Sequence, residues 1–395
     1  MPAPPPHGLI YLDHSATTPI DPEMAARMRD ADARFPGNPS SIHAAGRAAR
    51  LCLEEARSAL AGSLGMPAES VIFTGSGSEA NNLAIAGTLL EHAGRPAHLI
   101  VSAIEHHSVL HCARALAARH DGVTLTEIAC GADGRIDLDA IADAIRPATR
   151  LISLMLVNNE TGVIQPVAEA AHRARDRGIR LHVDAVQALG RLPLDLPALG
   201  ADLLTLAAHK ARGPRGVGAL LVRPGCGLAP LIHGGTQENY RRAGTENLAG
   251  AVGMAEAVRR AVAATDAHRR HLARLERIFL DTLTGQAAAG PRFELNGCAT
   301  AKVPGILNLA FEGVRQDDLV VGMDLAGVAI SAGSACSSGV IEPSHVLAAM
   351  NLPPWRRDGG VRISFGSTNT EQEARQAAAR LAELARRLAT STAHG

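Results

Sequence analysis

Short apolar runs alternate with alanine-rich stretches from about residue 70 to residue 225, and few folds accommodate such a pattern. Several runs are continuously apolar, as expected for strands that helices cover on both faces. The pattern predicts an α/β domain with a mostly parallel sheet of about seven strands and with functional residues at the strand ends. The predicted strands are VIFT from Val71, HLIVS from His98, VTLTEI from Val123, LISLMLV from Leu151, RLHVDA from Arg180, DLLTLAA from Asp202 and GALLV from Gly218.

The last third of the sequence has a different pattern. Apolar residues recur every three or four positions from Val252 to Leu283, which predicts one long helix of the kind that links two domains. Shorter strand patterns (ILNLAF, VAISAG and VRISF) follow, and the chain ends in an amphipathic helix. We therefore expect a large domain of residues 19–263 and a smaller α+β domain formed by residues 1–18 and 264–395.

The composition excludes several classes of partner. The chain of 395 residues has 39 basic and 39 acidic residues, and 2% of its residues are aromatic. It therefore lacks the basic surplus of a nucleic-acid or membrane-surface protein and the aromatic side chains that stack on single strands. No apolar run is long enough to span a bilayer, and the start, MPAPPPHGL, does not resemble a signal peptide. We expect a cytoplasmic protein with a small-molecule ligand.

The cysteines are expected to be free thiols. Six of them, at positions 52, 112, 130, 226, 298 and 336, show neither a CxxC pair nor the spacing of a disulfide framework. Cys336 differs from the other five because it lies in SAGSACSSGVIEPSHVL, a polar stretch rich in glycine and serine. Such a stretch is a poor place to bury a thiol and is typical of a mobile loop.

Two charged residues at strand ends indicate a cofactor. Lys210 follows the strand DLLTLAA, and Asp184 ends the strand in LHVDA twenty-six residues earlier. This pair suits a cofactor that forms a Schiff base and whose ring nitrogen stays protonated. The segment TGSGSEANN opens a helix, so the N–H groups of Gly77 and Ser78 can bind a phosphate. Each feature alone would be a surface lysine, a turn former or a helix cap, but together they predict a pyridoxal phosphate site.

Ten motifs, spread over nearly the whole chain, resemble those of the pyridoxal-phosphate-dependent cysteine desulfurases of the NifS/IscS type, within the class V aminotransferases. The motifs are YLDHSATTP at Tyr11, GNPSSIHAAGRAAR at Gly37, TGSGSEANNLAI at Thr74, EHHSVL at Glu105, VNNETGVIQP at Val157, HVDAVQ at His182, AAHKARGPRGVGAL at Ala207, RRAGTEN at Arg241, SAGSACSS at Ser331 and VRISFG at Val361. The resemblance implies the type I fold of pyridoxal-phosphate-dependent transferases and the conversion of L-cysteine to L-alanine.

The resemblance also implies roles for residues around the cofactor. Lys210 would hold the cofactor as a Schiff base and move the Cα proton of the substrate. Asp184 would pair with the pyridinium nitrogen, and His106 would stack on the ring and assist proton transfer at the substrate thiol. The other implied cofactor contacts are Gln187 and Asn159 at the ring oxygen, and Gly77, Ser78 and His209 at the phosphate.

By the same resemblance, Arg362 would bind the substrate carboxylate in a bidentate pair, with Asn159 and Asn38 as further contacts. Cys336 would take the substrate sulfur as a persulfide. The spacing between Cys336 and Arg362 resembles that of the long-loop members, which deliver sulfur directly to a protein acceptor. The pathways that such a persulfide could supply include iron–sulfur cluster assembly and the thio-modification of tRNA or DNA.

Two further features concern the cofactor phosphate. Thr245, in RRAGTEN, resembles the threonine with which family members reach the phosphate in the other subunit, and this implies a homodimer. Ala207 departs from the family, which has serine or threonine three residues before the Schiff-base lysine, so one hydroxyl contact is missing. Thr205 lies on the same side of the predicted strand as Ala207.

Other interpretations stay open from the residues alone. His106, His107 and His111 could form a helical metal site, but no further ligand cluster supports it and we expect no metal. A lyase or transaminase of the same superfamily would have no use for the thiol of Cys336. A non-catalytic sulfur carrier would fit the missing phosphate contact, and a hydrolase with a cysteine nucleophile would leave Lys210 unexplained.

Overall fold

The computed structural model describes residues 8–286, 290–333 and 343–392, and in these ranges it has sheets of seven, three and two strands. None of the described helices has both the length and the apolarity that a membrane span needs. The strands are β1 Ile10–Tyr11, β2 Val71–Thr74, β3 Ala97–Ser102, β4 Val123–Ile128, β5 Thr149–Met155, β6 Arg180–Asp184, β7 Leu203–Ala207, β8 Gly218–Val222, β9 Phe293–Leu295, β10 Ile306–Phe311, β11 Val328–Ala329 and β12 Val361–Ser364. The helices are α1 Pro22–Arg34, α2 Ala44–Ser63, α3 Gly77–Leu90, α4 His107–Arg119, α5 Leu138–Ala144, α6 Val167–Arg175, α7 Leu196–Leu199, α8 Leu248–Ala263, α9 Thr265–Gln286, α10 Gln316–Leu325, α11 His345–Ala349, α12 Pro354–Asp358 and α13 Glu371–Thr392.

The seven-stranded sheet has the order β2-β8-β7-β6-β5-β3-β4. Strand β8 runs antiparallel to both of its neighbours, and the pairs from β7 to β4 are parallel. The mostly parallel seven-stranded sheet that the sequence predicts is therefore confirmed, and each predicted strand agrees with the observed one to within two residues.

Both faces of this sheet are buried, which explains the continuously apolar strands. Leu203 packs in one hydrophobic cluster together with Leu220, whereas the next residue, Leu204, packs in another together with Leu221. Because successive side chains of a strand point to opposite faces, these clusters cover the two sides of the sheet. A strand of this kind needs apolar residues at every position.

The parallel strands all end at one edge of the sheet, and polar side chains follow these ends directly. His106 follows β3, Asn159 follows β5, Asp184 ends β6, and Lys210 ends the short 3-10 turn after β7. The edge at the carboxyl ends of parallel strands is where ligands bind in open α/β sheets. The topology thus brings together residues as distant in the sequence as His106 and Lys210.

The single long helix predicted from Val252 to Leu283 is wrong, because the structure has two helices there. Helix α8 ends at Ala263 and α9 begins at Thr265, with Ala264 between them at φ −97° and ψ 1°. Helix α8 packs on α1 and α2, whereas α9 packs on α13. The two apolar stripes have the same period but face different hydrophobic clusters, and periodicity alone does not report that change of partner.

The first described residues join the C-terminal part of the chain. Strand β1 pairs in parallel with β11, and Ile10 and Leu12 lie in the hydrophobic cluster of Phe279 and Ile363. In the three-stranded sheet, β10 lies between β9 and β12 in antiparallel pairing. The domain bounds at residues 18/19 and 263/264 stay a prediction.

Candidate active site

A cavity of about 310 Å³ lies at the carboxyl edge of the parallel strands, and most of the predicted site residues line it. The lining also includes residues that the sequence analysis did not single out, notably Ser15, Asn81 and His345. The predicted residues in the lining are Gly77, Ser78, His106, Asn159, Asp184, Gln187, His209, Lys210 and Arg362.

Two predicted residues of the described chain, Asn38 and Thr245, do not line the cavity. Asn38 is exposed, and its Oδ1 accepts a hydrogen bond from the backbone N–H of Ser40 at 2.8 Å, as in an ordinary turn. Thr245 is exposed as well. Cys336 lies outside the described residues. The single chain therefore brings together the predicted cofactor residues apart from Thr245.

Lys210 presents a buried amine to the cavity. Its Nζ donates hydrogen bonds to the backbone carbonyls of Ser15 and Ala16. Burial lowers the pKa of Lys210 to about 7, and the nearby Arg362 guanidinium also lowers it. A large fraction of this amine is therefore neutral at physiological pH, which is the form that attacks a carbonyl carbon.

Asp184 is buried and oriented by two hydrogen bonds. Its Oδ1 accepts from the backbone N–H of Val186 at 3.0 Å, and its Oδ2 accepts from the side chain of Asn81 at 2.8 Å. Asn81 also donates to the hydroxyl of Ser108 at 2.9 Å. Sequence reasoning missed Asn81, although it lies four residues after Gly77 and hence on the same face of α3.

The start of α3 forms a site for an anion beside these groups. Ser76 caps the helix, its Oγ accepting from the N–H of Glu79 at 3.1 Å, and the N–H groups of Gly77 and Ser78 have no acceptor within the helix. A Cβ on Gly77 would lie 3.2 Å from the Cβ of Ala207. Glycine thus lets the helix end approach β7 closely, with its positive dipole end at the cavity.

The predicted phosphate contacts of the lining include a histidine, but β7 contributes no hydroxyl to it. The Nδ1 of His209 lies 3.1 Å from the Oγ1 of Thr17, and burial together with Lys210 lowers the pKa of His209 to about 4, so the ring is neutral. Ala207 contributes only a methyl group to the lining. The hydroxyl of Thr205 lies 3.0 Å from the Nε2 of His182 and does not line the cavity, so it does not replace the missing contact.

Arg362 is 2% exposed and is held by two acceptors. Its Nη2 donates to the Oδ1 of Asp13 at 2.8 Å, and its Nη1 donates to the backbone carbonyl of Asn159 at 3.2 Å. The buried Nε–H has no partner within the described residues. The guanidinium is thus oriented but keeps a donor available for a ligand. Sequence reasoning missed Asp13, which lies in YLDHSATTP.

His106 caps the N-terminus of α4. Its Nδ1 accepts from the backbone N–H of Ser108 at 3.1 Å and lies 2.7 Å from the Ser108 hydroxyl. The ring is accessible from the cavity. Desolvation within the cavity lowers the pKa of His106, and the nearby Lys210 lowers it further. Because the cap holds Nδ1 as an acceptor, the proton of the neutral ring is on Nε2.

The neighbouring histidines form a hydrogen-bonded group. The ring of His107 stacks on His111 with centroids 4.7 Å apart, and its Nε2 lies 3.1 Å from the Nδ1 of His345. The Nε2 of His345 donates to the backbone carbonyl of Glu105 at 2.8 Å. A carbonyl only accepts, so in the neutral ring Nδ1 of His345 accepts from His107. This network ties the start of α11 to the start of α4.

The carboxyl group of Glu105 makes stability depend on pH. It is fully buried, its Oε1 accepts from Ser102 and from the N–H of Met155, and burial raises its pKa to about 8. Because this pKa lies above the ordinary value of 4.5, the folded state holds the proton more tightly than the unfolded state. Stability should fall by up to about 1.4 kcal/mol per pH unit as the pH rises from about 4.5 through about 8.

We expect the variant Glu105→Gln to lose this pH dependence, because the amide stays neutral. Urea denaturation at pH 6 and pH 9 measures the effect: the midpoint should fall more for the native chain than for the variant. Glu127→Gln is the control, since Glu127 is ion-paired with Arg114 at 2.7 Å and its pKa is lowered. An equal fall in the native chain and in Glu105→Gln would contradict the prediction.

The lining fits pyridoxal 5'-phosphate in the chemistry of its groups. Lys210 supplies an amine with a lowered pKa, Asp184 supplies a buried carboxylate, and the start of α3 with His209 supplies donors for a phosphate. Gln187 lines the same cavity, and its Nε2 donates to the Ser15 carbonyl at 2.8 Å.

Comparison with known proteins identifies the family to which this chain belongs. The profile of the family described as Aminotransferase class-V, whose members use pyridoxal phosphate, matches residues 10–376. A cysteine desulfurase IscS from Dictyoglomus turgidum is 40% identical over 364 residues, which are 92% of this chain and 91% of the relative. A solved NifS-like protein has a TM-score of 0.88 at 30% identity, over 95% of this chain and 98% of that one. A structure described as SspA in complex with cysteine has a TM-score of 0.78 at 31% identity, over 91% and 100%. The chain belongs to the class-V aminotransferase family.

Proposed function

We propose that the protein is a pyridoxal-phosphate-dependent cysteine desulfurase, which converts L-cysteine to L-alanine and takes the sulfur as a persulfide on Cys336. The observation that carries the proposal is that Lys210, Asp184, His106 and Arg362 line one cavity. The relatives support it, since curated proteins at 36–41% identity are named cysteine desulfurases.

The residues of the cavity divide the work on the substrate. Pyridoxal phosphate, bound at Lys210, supplies an electron sink for negative charge at the Cα of the substrate. Asp184 keeps the ring nitrogen protonated, as a buried carboxylate favours a nearby cation. Arg362 binds the substrate carboxylate and fixes its orientation. The amine of Lys210 accepts the Cα proton and later returns a proton, which its lowered pKa permits near neutral pH.

The sulfur step needs a second nucleophile. The thiolate of Cys336 attacks the sulfur of the substrate, an S–S bond forms, and the C–S bond breaks with its electron pair left on the Cβ carbon, which takes up a proton. The His106 ring holds or releases the thiol proton. The balance is L-cysteine plus one thiol giving L-alanine plus one persulfide, with no external oxidant or reductant. The assignment of Cys336 rests on its motif.

The proposal also includes two protein partners, a second subunit and a sulfur acceptor. Thr245 serves the cofactor phosphate of a second subunit in a homodimer, which agrees with its exposure outside the cavity of its own chain. The persulfide passes to a protein acceptor in the cytoplasm, for iron–sulfur cluster assembly or for thio-modification of tRNA or DNA.

The proposal is tested by measuring the sulfide and the alanine that the protein releases from L-cysteine in the presence of a thiol reductant. Purified protein with a recorded visible spectrum should give equal amounts of the two products. A transaminase would give a keto acid instead, a lyase would give pyruvate and ammonia with the sulfide, and a non-catalytic carrier would give neither product. Any of these results would refute the proposed function.

The variant Arg362→Lys should raise the KM for L-cysteine about 10- to 100-fold, because a lysine cannot form the bidentate pair with the substrate carboxylate. Steady-state kinetics over a range of L-cysteine concentrations measure this change. The matched control is Arg357→Lys, since Arg357 is exposed, pairs with the neighbouring Asp358 at 2.6 Å and does not line the cavity. An unchanged KM in Arg362→Lys would contradict the proposal that Arg362 binds the substrate carboxylate.

A further inference from the structure

A second cavity of about 250 Å³ shares Lys210 with the first cavity and is otherwise lined by different residues. We call it the rear cavity and define it by His14, Asp21, Arg191, Arg212, Arg260 and His268. Its walls include Met24 of α1, Ala261 of α8 and Gly366, which follows β12. This volume far exceeds the roughly 10–15 Å³ that one water needs. The mechanism above uses none of the six residues.

The lining contains a buried cation that has no ion-pair partner among the described residues. Arg191 is 5% exposed, and its two Nη atoms donate to the backbone carbonyls of Pro304 at 3.3 Å and Phe365 at 3.1 Å. Glu276 acts on Arg191 from a distance but is paired with Lys302 at 2.6 Å. Buried charges are normally paired, so we expect an anion to bind beside Arg191.

Two histidines of the rear cavity have buried nitrogens without hydrogen-bond partners. His14 is 3% exposed, and within the described part of the chain neither of its ring nitrogens has a partner. A Cβ on Gly366 would lie 2.2 Å from its Nδ1, so glycine at this position makes room for the ring. His268 also lines the cavity, and its Nε2 is buried without a partner among the described residues. Such groups are costly to bury unless a ligand or water satisfies them.

The other charged residues of the lining leave a positive surplus. Asp21 is the one carboxylate among the lining residues of the rear cavity, and it is shared by Arg212 at 3.3 Å and Arg260 at 3.8 Å. Arg260 is further paired with Glu23 and Glu256. The Nε of Arg212 is buried without a partner among the described residues. Free donors therefore come from Arg191, Arg212 and His14.

We propose that the rear cavity is a second binding site, which takes a small inorganic oxyanion of the sulfate or phosphate class. Arg191 supplies the charge, and His14 and Arg212 supply N–H donors. The lining comes from α1, α8, α9 and the residues after β12, so a bound anion stabilises the contact between these elements. The site differs from the cofactor site, because the two cavities have only Lys210 in common among their lining residues.

The hydrogen bond of His268 adds a dependence on pH. Its Nδ1 lies 3.0 Å from the carbonyl of Gly190, which can only accept, so the neutral ring bears a lone pair on Nε2. Burial, Arg191, His271 and Arg212 lower the pKa of His268 to about 4. The other charged or titratable residues of the same lining are His14, Asp21, Lys210 and Arg260. An anion beside the ring opposes these effects and raises the pKa. Binding therefore takes up a proton, and affinity increases as the pH falls.

Titration calorimetry with sodium sulfate at constant ionic strength tests the site. Sulfate keeps its charge between pH 6 and pH 8, so any pH dependence belongs to the protein. The protein is used loaded with pyridoxal phosphate, which fills the phosphate site of the cofactor, and Arg362→Gln removes the arginine of the substrate site. In this background we expect one saturable site that is at least about threefold tighter at pH 6 than at pH 8.

Three variants in the same background separate the contributions. Arg191→Gln should weaken sulfate binding at least about tenfold. His268→Asn keeps a donor for the Gly190 carbonyl but cannot gain the proton, so binding should lose its pH dependence. His172→Asn is the matched control, since His172 is exposed on α6 and does not line the rear cavity.

The experiment distinguishes the absence of an anion site from the misfolding of one variant. If Arg191→Gln does not fold, His14→Phe keeps a ring on Gly366 without a donor and should weaken binding several-fold. The absence of a saturable site in the Arg362→Gln background would overturn the proposal. Binding that is equal in Arg191→Gln and the parent, or in His14→Phe and the parent, would do so as well. None of these results depends on whether the enzyme releases sulfide.

Discussion

Replacing Lys210 with alanine lowers sulfide release from L-cysteine by at least about 1,000-fold and removes the yellow colour of the loaded protein. The reason is that Lys210 is the amine in the cavity, and burial lowers its pKa to about 7. Alanine removes both the covalent attachment of the cofactor and the group that moves the Cα proton. Visible absorption spectra and a sulfide assay on the same preparation measure the two losses.

The composition of the chain makes this assignment easy to check chemically. The sequence contains only two lysines, Lys210 and Lys302. Borohydride reduction of the loaded protein followed by peptide mapping should therefore place the cofactor on Lys210. Lys302→Ala is the matched control, because Lys302 pairs with Glu276 at 2.6 Å and does not line the cavity. A label on Lys302, or full activity of Lys210→Ala, would refute the proposed role of Lys210.

The parts of the fold that the sequence predicts well are those set by local pattern. Continuously apolar runs identify the strands buried on both faces, and parallel strands place their carboxyl ends at one edge. Lys210 and Asp184 could be expected to meet because each follows such a strand. The break at Ala264 could not be predicted, since alanine continues a helix readily and the reason for the break is a change of packing partner.

The residues that sequence reasoning missed act through contacts between distant segments. Asp13 orients Arg362 from 349 positions away, and His345 bonds the carbonyl of Glu105 from 240 positions away. Nothing in the local sequence around Asp13 reports this contact, because the pairing of β1 with β11 and the bridge to Ser364 create it. The unpartnered ring of His14 is likewise visible only once α9 and Gly366 are in place.

Described residues on either side of Cys336 are held by hydrogen bonds to distant segments of the chain. Ser331 and Arg362 exchange two backbone hydrogen bonds, of 3.1 Å and 2.6 Å. The hydroxyl of Ser344 donates to the buried carboxyl group of Glu160 at 2.5 Å. Cys336 is five residues from Ser331 in the sequence.

We therefore expect Cys336→Ala to keep the cofactor colour and to bind L-cysteine but to release sulfide at least about 100-fold more slowly. The variant lacks the thiol that accepts the sulfur, while the residues that bind the substrate are unchanged. Spectral titration with L-cysteine measures binding, and a sulfide assay measures turnover. Cys298→Ala is the matched control, since Cys298 is half-buried and hydrogen bonds from Thr300 and Ala301 lower its pKa. Because Cys298 is the described thiol best suited to ionise, loss of activity in Cys298→Ala with turnover retained in Cys336→Ala would move the persulfide to Cys298.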